Sequence, residues 1–285
     1  MDHCCLIQGG DLQAIVGDTS RDGAGGPKYC GLWSLTHRDY VFNAFGNSYC
    51  GLSSRDQRVG GCTLIQESDT AASLTSKNVG PSKVDMTVRY EVAEPNAIDL
   101  TASMNFHSAQ GDNNHRAISF YNFMNSPAEP KIRFRSNDRW MSYMSPAHGV
   151  GSNIAPAYVR EEHLEEMPPQ YERGYHEDRL LVGFDEPFFY GRLGPMMFLL
   201  IFAQPKWTRF LMSPSGGGPS LIPGRSSPAW SFQWVIPPVA FGPGLDYVFR
   251  SRLIYKPFVS DDEVIELARR TQAQLSYNLP PAPIR

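Results

Sequence analysis

The sequence predicts an all-β fold, a large antiparallel β-sandwich with one C-terminal helix, and three observations support this prediction. Apolar and polar side chains alternate over residues 84–91 and again over 98–107, on either side of a Glu94-Pro95-Asn96 turn, as in a hairpin with one apolar face. The composition is rich in turn residues, with 25 Gly and 23 Pro. Helical periodicity is clearest at about 260–275, where a Ser260 capping box precedes apolar residues spaced by three and four.

The other predicted strands are short apolar or alternating runs separated by turn residues. They are two strands within 6–18, then 32–37, 62–66, 116–124, 131–135, 196–202, 230–236 and 247–255. Residues 53–83 are otherwise predicted to be loop. Periodicity is lost between about 140 and 186, which predicts an irregular lid or rim. A chain of 285 residues with this pattern is expected to form a single domain, 1–285.

Charge and composition exclude some partners. The formal net charge is −3 and the pI about 6.2, so no basic footprint for nucleic acid is present. The apolar run at 196–202 is too short to span a bilayer, and the first residues do not resemble a secretory signal. The five cysteines are odd in number and lack C-x-x-C spacing, which favours reduced thiols in a cytoplasmic protein over a zinc site.

Familiar catalytic motifs are absent from the sequence. It contains no G-x-S-x-G, no phosphate-binding G-x-x-x-x-G-K-[ST] and no H-E-x-x-H. The Ser-Gly-Gly-Gly block at 215–218 is not followed by a lysine, and a strand rather than a helix comes next, so a flexible turn is the simpler interpretation.

Three residues are the candidates for acid/base chemistry. His148 lies among turn residues at the start of the irregular segment, where an imidazole can exchange protons near neutral pH, although it could equally bond its own loop. Tyr190 could donate a proton to a sugar oxygen, and Arg192 could hold a carboxylate or a hydroxyl pair. The alternatives are a tyrosine buried at a strand edge and an arginine paired with surface acids.

Six further residues are candidates for substrate binding, because aromatic faces stack on sugar rings and polar side chains at strand edges bind hydroxyls. They are Trp33, His37, His107, Trp230, Gln233 and Arg250. Core packing is the alternative for the tryptophans. A divalent metal ion is an open alternative, with His163, Glu162 and His176 as ligands, but the acidic run around them is also typical of a solvated surface. No other cofactor is predicted.

Several blocks of the sequence resemble a known family. The Trp33–His37 strand, the Tyr90–Leu100 hairpin and the Tyr247–Tyr255 strand resemble the galactose mutarotase-like β-supersandwich in layout. The Ser-Pro-Ala-His-Gly, Phe-Tyr-Gly-Arg and Ser-Pro-Ser-Gly-Gly-Gly blocks resemble a group of uncharacterised bacterial proteins over most of the chain. The resemblance implies a twisted antiparallel sandwich whose concave sheet binds carbohydrate. The histidine acid and glutamate base of mutarotases do not align with this chain residue by residue.

These observations predict a carbohydrate-active enzyme that uses acid/base chemistry on a mono- or oligosaccharide, by epimerisation, elimination or hydrolysis. The alternative is a non-catalytic carbohydrate-binding or structural β-sandwich protein. The C-terminal helix could also serve a homodimer interface.

Overall fold

The structure, a computed structural model, describes residues 3–18, 30–46, 50–79, 83–107, 117–147, 149–157, 180–214, 227–236 and 240–277. Within these residues the chain forms seventeen strands, two α-helices and a 3₁₀ turn. In chain order the elements are β1 Cys4–Gly9, β2 Leu12–Gly17, β3 Gly31–His37, β4 Ser53–Ser54, α1 Arg55–Gly60, β5 Thr63–Gln66, β6 Ala71–Val79, β7 Val84–Ala93, β8 Ala97–Phe106, β9 Ala117–Tyr121, β10 Ile132–Ser136, β11 Arg139–Tyr143, β12 Asn153–Ile154, β13 Phe188–Leu193, β14 Met196–Phe202, the 3₁₀ turn Pro205–Trp207, β15 Thr208–Ser213, β16 Ala229–Val235, β17 Asp246–Pro257 and α2 Asp261–Tyr277.

The strands form three sheets in which every pairing between strands is antiparallel. A nine-stranded sheet has the order β11-β10-β13-β14-β17-β8-β7-β6-β5, and a five-stranded sheet has the order β12-β15-β16-β9-β4. A small sheet is formed by β1, β2 and β3. The alternating segments predicted as a hairpin are β7 and β8, which pair from Val84↔Phe106 to Ala93↔Ala97. The all-β sandwich predicted from the sequence is confirmed.

An aromatic layer between the nine-stranded and five-stranded sheets forms the core. Phe202 of β14 contacts Phe232 of β16, with ring centroids 4.9 Å apart, and Trp234 stacks on Phe249 of β17 at 5.0 Å. Every second residue of these strands points into this layer, since side chains alternate between the two faces of a strand. Burial of such large apolar side chains is the main stabilising term of the sandwich.

The opposite face of the nine-stranded sheet is covered in part by α2. Val264 and Ala268 of the helix are fully buried and belong to one apolar cluster with Leu199 and Ile201 of the sheet. The Ser260 hydroxyl accepts a hydrogen bond from the Glu263 amide at 3.2 Å, as the predicted capping box requires. The helix therefore begins where the sequence indicates.

The segment 53–83 is more regular than predicted. It contains the short helix α1 and the nine-residue strand β6, which pairs with both β5 and β7. The sequence of β6, AASLTSKNV, has no alternation, so its strand conformation is imposed by its two neighbours rather than by its own pattern. Within the described residues, no helix is long and apolar enough to cross a membrane.

Candidate functional site

The face of the five-stranded sheet that points away from the aromatic core carries polar side chains. In β9, β15 and β16, a residue that precedes or follows a core-facing residue points to the opposite face of the sheet, because side chains alternate between the two faces of a strand. We call five polar residues of this set the polar face: Ser119, Tyr121, Arg209, Ser231 and Gln233. Leu211 and Val235 lie on the same side of the sheet. Arg209 is 6% exposed, and Ser119 and Gln233 are each 5% exposed. Buried polar groups of this kind require hydrogen-bond partners, so the polar face is a place of specific contacts.

The register of the strands aligns these side chains in a row. Arg209 is directly opposite Gln233, and Gln233 is directly opposite Ser119. The Ser119 hydroxyl donates to Gln233 Oε1 at 3.3 Å. The same hydroxyl is close enough to the Tyr121 phenol to lower its pKa. Arg209 Nη1 donates to the carbonyls of Lys206 and Thr208, at 3.1 and 2.8 Å, which fixes the orientation of its guanidinium group.

One end of the row carries aromatic rings and the arginines of α1. The Tyr121 and Phe123 rings stack with centroids 5.8 Å apart. The Arg58 guanidinium lies over both rings, 5.6 Å from Tyr121 and 5.4 Å from Phe123. The helix α1 follows β4, which pairs with β9 at the edge of the sheet, so Arg58 is brought to the rings by chain connectivity. The result is a pair of stacked rings, the half-buried Tyr121 and the buried Phe123, that lies under a guanidinium group and beside hydrogen-bonding groups. Aromatic rings next to polar groups are typical of sugar sites.

The electrostatics of this region keep the Tyr121 phenol protonated. Burial raises the pKa of Tyr121, while the charges of Arg55 and Arg58 lower it and that of Asp56 raises it. Asp56 lies at the first turn of α1 and is 2% exposed. A protonated phenol and a carboxylate therefore lie within electrostatic range of each other at one end of the polar face.

Of the residues predicted from sequence, Gln233 lies on the polar face. Trp230, on the same strand, points the other way into the core, where it is fully buried and its Nε1 donates to the Pro130 carbonyl at 2.8 Å. Core packing was the alternative interpretation of this tryptophan. The two residues therefore occupy opposite sides of β16.

Tyr190 and Arg192 lie at the N-terminal end of α2, on the other sheet. The Tyr190 side chain is fully buried, and its hydroxyl donates to Asp261 and accepts from Arg133 Nη1 at 2.8 Å. Arg192 is exposed and lies 4.5 Å above the Phe258 ring. Burial, followed by the Asp261 hydrogen bond, raises the pKa of Tyr190. These contacts attach the helix to the sheet.

His107 and Arg250 lie on the solvent side of the nine-stranded sheet. His107 Nε2 contacts Asp85 Oδ1 at 2.7 Å, and Lys77 Nζ contacts Asp85 Oδ2 at 3.0 Å. The hydrogen bond from His107 is the main cause that holds the pKa of Asp85 well below its usual range. Arg250 is on β17, opposite Thr101. Ion pairs of this sort on an exposed sheet face contribute little to stability individually.

Trp33 and His37 belong to β3 in the small sheet. Trp33 packs over Gly17 so closely that a Cβ there would lie 2.0 Å from the indole. His37 forms part of the wall of a polar cleft of about 530 Å³ with Gln8, Asp11, Gln13 and Arg38. Its Nε2 is 3.0 Å from Asn96 Oδ1, and its Nδ1 accepts from the Asp39 amide at 3.1 Å. Both ring nitrogens thus hold neighbouring turns in place.

The remaining predicted residues, His148, His163, Glu162 and His176, lie outside the described residues. Within the part of the chain that the structure describes, no three histidine, cysteine or acidic side chains converge as a metal site. All five cysteines are free thiols.

Sequence reasoning missed most of the polar face. Ser119 and Tyr121 come from β9, Arg209 from β15 and Ser231 from β16, which are distant in sequence and are aligned only by strand pairing. A usable signal was present in β9, where Ser119 and Tyr121 alternate with the buried Ile118 and Phe120.

Comparisons with known proteins agree with this architecture. No family model matches the chain, and no curated protein matches it. Among solved structures, a candidate aldose 1-epimerase from Escherichia coli K12 superimposes with a TM-score of 0.54 at 10% identity, covering 90% of this chain and 99% of that chain. A galactose mutarotase related enzyme from Lactobacillus acidophilus gives 0.50 at 10% identity, covering 90% and 98%. An aldose epimerase homologue from C. elegans gives 0.50 at 8% identity, covering 90% and 100%.

The chain therefore has the galactose mutarotase-like β-sandwich fold. This is the fold that the resemblance of its sequence blocks implies.

Proposed function

We propose that the chain is a carbohydrate-active enzyme of the aldose epimerase type and that the polar face of the five-stranded sheet is its substrate site. The observation that supports this most directly is the row from Arg209 through Gln233 and Ser119 to Tyr121, whose ring stacks on that of Phe123. Sugar rings offer the matching surfaces, since their C–H faces stack on aromatic rings and their hydroxyls bond amides, hydroxyls and guanidinium groups. Proteins that share the fold are described as aldose epimerases and mutarotase relatives.

Epimerisation at the anomeric carbon requires one proton donor and one proton acceptor. The acceptor removes the proton of the anomeric hydroxyl while the donor protonates the ring oxygen, so the bond from the anomeric carbon to the ring oxygen breaks and an open-chain aldehyde forms. Closure on the opposite face of the carbonyl reverses both transfers. We assign the donor role to Tyr121, whose pKa is raised, and the acceptor role to Asp56. Elimination or hydrolysis would need the same kind of pair.

The competing function is a sugar-binding protein without catalysis. The buried hydrogen bond between Ser119 and Gln233 favours a preorganised binding surface under either proposal. What distinguishes them is proton transfer by Tyr121 and Asp56.

The test is mutarotation of freshly dissolved α-glucose and α-galactose, followed by polarimetry and by one-dimensional NMR of the anomeric protons. We expect the wild type to accelerate the approach to equilibrium above the spontaneous rate. Tyr121→Phe and Asp56→Asn should each reduce the enzymatic rate by about a hundredfold, the usual contribution of one acid or base. Tyr143→Phe and Asp246→Asn are matched controls, since Tyr143 bonds the Gly151 carbonyl and Asp246 bonds Asn105 on the nine-stranded sheet.

Saturation-transfer NMR with the same sugars separates the two functions. Sugar signals that appear without accelerated mutarotation would favour the binding protein. Activity that survives both Tyr121→Phe and Asp56→Asn would show that the acid and base are elsewhere. The absence of both binding and turnover for a wider panel of mono- and oligosaccharides would contradict the proposal.

A further inference from the structure

We infer that the polar cleft of the small sheet is a second carbohydrate-binding site, which binds a neutral, hydroxyl-rich ring and does not convert it. The cleft is lined by residues of β1, β2 and β3 and of adjoining turns, whereas the polar face belongs to the five-stranded sheet. Its volume of about 530 Å³ is within the usual range of ligand pockets, about 300 to 1,000 Å³. The inference is separate from the proposed function and does not depend on it.

Three polar side chains form a row across the small sheet at this cleft. Gln8 of β1 is directly opposite Gln13 of β2, and Gln13 is directly opposite Thr36 of β3. Gln13 Nε2 donates to Gln8 Oε1 at 3.2 Å. The other ends of the two amides, the Gln8 nitrogen and the Gln13 oxygen, have no hydrogen-bond partner in the part of the chain that the structure describes. The wall of the cleft therefore presents a donor next to an acceptor.

An ion pair adds a second donor and acceptor to the same wall. Arg38 Nη1 lies 2.9 Å from Asp11 Oδ1, and the Arg38 side chain is 69% exposed. Asp69 also lines the cleft, so the carboxylates there are not outnumbered by cationic groups. A sulfate ion only accepts hydrogen bonds and an ammonium group only donates them, whereas a hydroxyl group does both. The mixture of groups thus fits the hydroxyls of a sugar better than it fits an ion.

The position of the ion pair is fixed by the turn between β7 and β8. The Asp11 amide donates to the Pro95 carbonyl at 2.9 Å, and the Arg38 amide donates to the Asp11 carbonyl at 2.9 Å. Gly10 has a φ of +54°, and a Cβ there would lie 2.4 Å from the Pro95 oxygen. A wall held in this way loses little conformational entropy when a ligand binds, which favours affinity.

The histidine of the cleft is engaged in structural contacts. His37 Nδ1 accepts from the Asp39 amide at 3.1 Å, and His37 Nε2 is 3.0 Å from Asn96 Oδ1. The imidazole cannot exchange a proton with a ligand without losing one of these contacts. General acid/base catalysis needs a group that is available for proton transfer, so the cleft is suited to binding rather than to catalysis.

The test is a titration with methyl α-glucoside, methyl α-galactoside and methyl α-mannoside, followed by ¹H–¹⁵N NMR. The methyl group blocks the anomeric oxygen, so these sugars can bind but cannot undergo mutarotation. The side-chain amide signals of Gln8 and Gln13 are identified by their absence from Gln8→Ala and Gln13→Ala. We expect these signals to shift and to saturate with at least one glycoside. Sulfate and ethylamine should not shift them, since each offers only acceptors or only donors.

The same two variants measure the contribution of the amides. Gln8→Ala and Gln13→Ala should each weaken glycoside binding about fivefold, the net effect of one neutral hydrogen bond, as followed by the backbone amide signals of Gly9 and Gly10. Both glutamines are exposed, so their replacement leaves the core intact. Gln274→Ala on the exposed side of α2 is the matched control and should keep the wild-type affinity.

Three results would overturn the inference. Glycosides that leave the Gln8 and Gln13 signals unchanged would show that the cleft is not a sugar site. An affinity that is the same in both variants and in the wild type would show that these amides do not hold the ligand. Tighter binding of sulfate or ethylamine than of every glycoside would contradict the ligand class. Because methyl glycosides report binding and not turnover, each of these results leaves the proposed function in place.

Discussion

At the scale of single residues, the hydrogen bonds of Tyr190 indicate a structural role for this candidate side chain. The Tyr190 hydroxyl lies in a network with Arg133 and Asp261, and its ring contacts Trp140 edge-on at 5.3 Å and stacks on Phe258 at 6.0 Å. The network connects β10, β13 and the first turn of α2. The Tyr190 hydroxyl therefore stabilises the packing of α2 against β10 and β13.

Tyr190→Phe tests this role directly. Loss of the hydroxyl leaves Arg133 and Asp261 paired with each other, so we expect the free energy of unfolding to fall by about 1 to 2 kcal/mol. Urea denaturation measures the change, and Tyr143→Phe serves as the comparison, since its hydroxyl bonds one carbonyl at the rim of the same sheet. A large loss of sugar turnover without loss of stability would instead support the catalytic role predicted for Tyr190 from the sequence.

At the scale of elements, close approach between the two large sheets depends on a glycine. A Cβ on Gly191 of β13 would lie 2.3 Å from the Trp230 indole of β16, far inside van der Waals contact. The six-membered ring of the indole can therefore come close to the backbone of the facing sheet, while its Nε1 donates to the Pro130 carbonyl. Glycine at position 191 is required by this packing, whatever its backbone angles.

Gly191→Ala should destabilise the sandwich by about 1 to 3 kcal/mol, the usual effect of an overpacked core. Calorimetric melting of Gly191→Ala, Trp230→Phe and the double variant measures the coupling. Because the smaller ring makes room for the new methyl group, the double variant should be less unstable than the sum of the two single changes. Additive losses would mean that the two residues do not meet as the structure describes.

The whole molecule buries several weakly acidic groups whose ionisation opposes folding at high pH. Burial raises the pKa values of Cys30, Cys50, Tyr90 and Tyr255 above their ordinary values. In the unfolded chain these groups ionise at about pH 8.5 for thiols and about pH 10 for phenols, whereas the folded protein retains their protons. The stabilising contribution is fully present below those unfolded values and is lost as pH rises from there through the folded pKa.

We therefore expect the urea midpoint to be constant near pH 7 to 8, to decline from about pH 8.5 and to decline more steeply above about pH 10. Cys50→Ala should make the first part of this decline less steep, because the folded and unfolded states then differ by about one bound proton fewer in that pH range. Cys4→Ala is the control, since this cysteine is partly exposed and not in the core. A midpoint that is unchanged between pH 8 and pH 11 would contradict the burial of these groups.

The sequence by itself determined the all-β class, the hairpin of β7 and β8, and the start of α2. Each of these depends on local information, such as a period of two along one strand or a capping serine at one helix end. Gln233 was also accessible, because it alternates with buried aromatic residues of its own strand.

Only the tertiary structure decided the strand conformation of β6 and the composition of the polar face. Ser119, Gln233 and Arg209 are brought together by the pairing of β9, β16 and β15, which join segments far apart in the chain. Local periodicity reports which side of its own strand a residue occupies, but it carries no information about which strand lies next to it. That choice is made by long-range register and by packing of the aromatic core, and the candidate site exists only once both are formed.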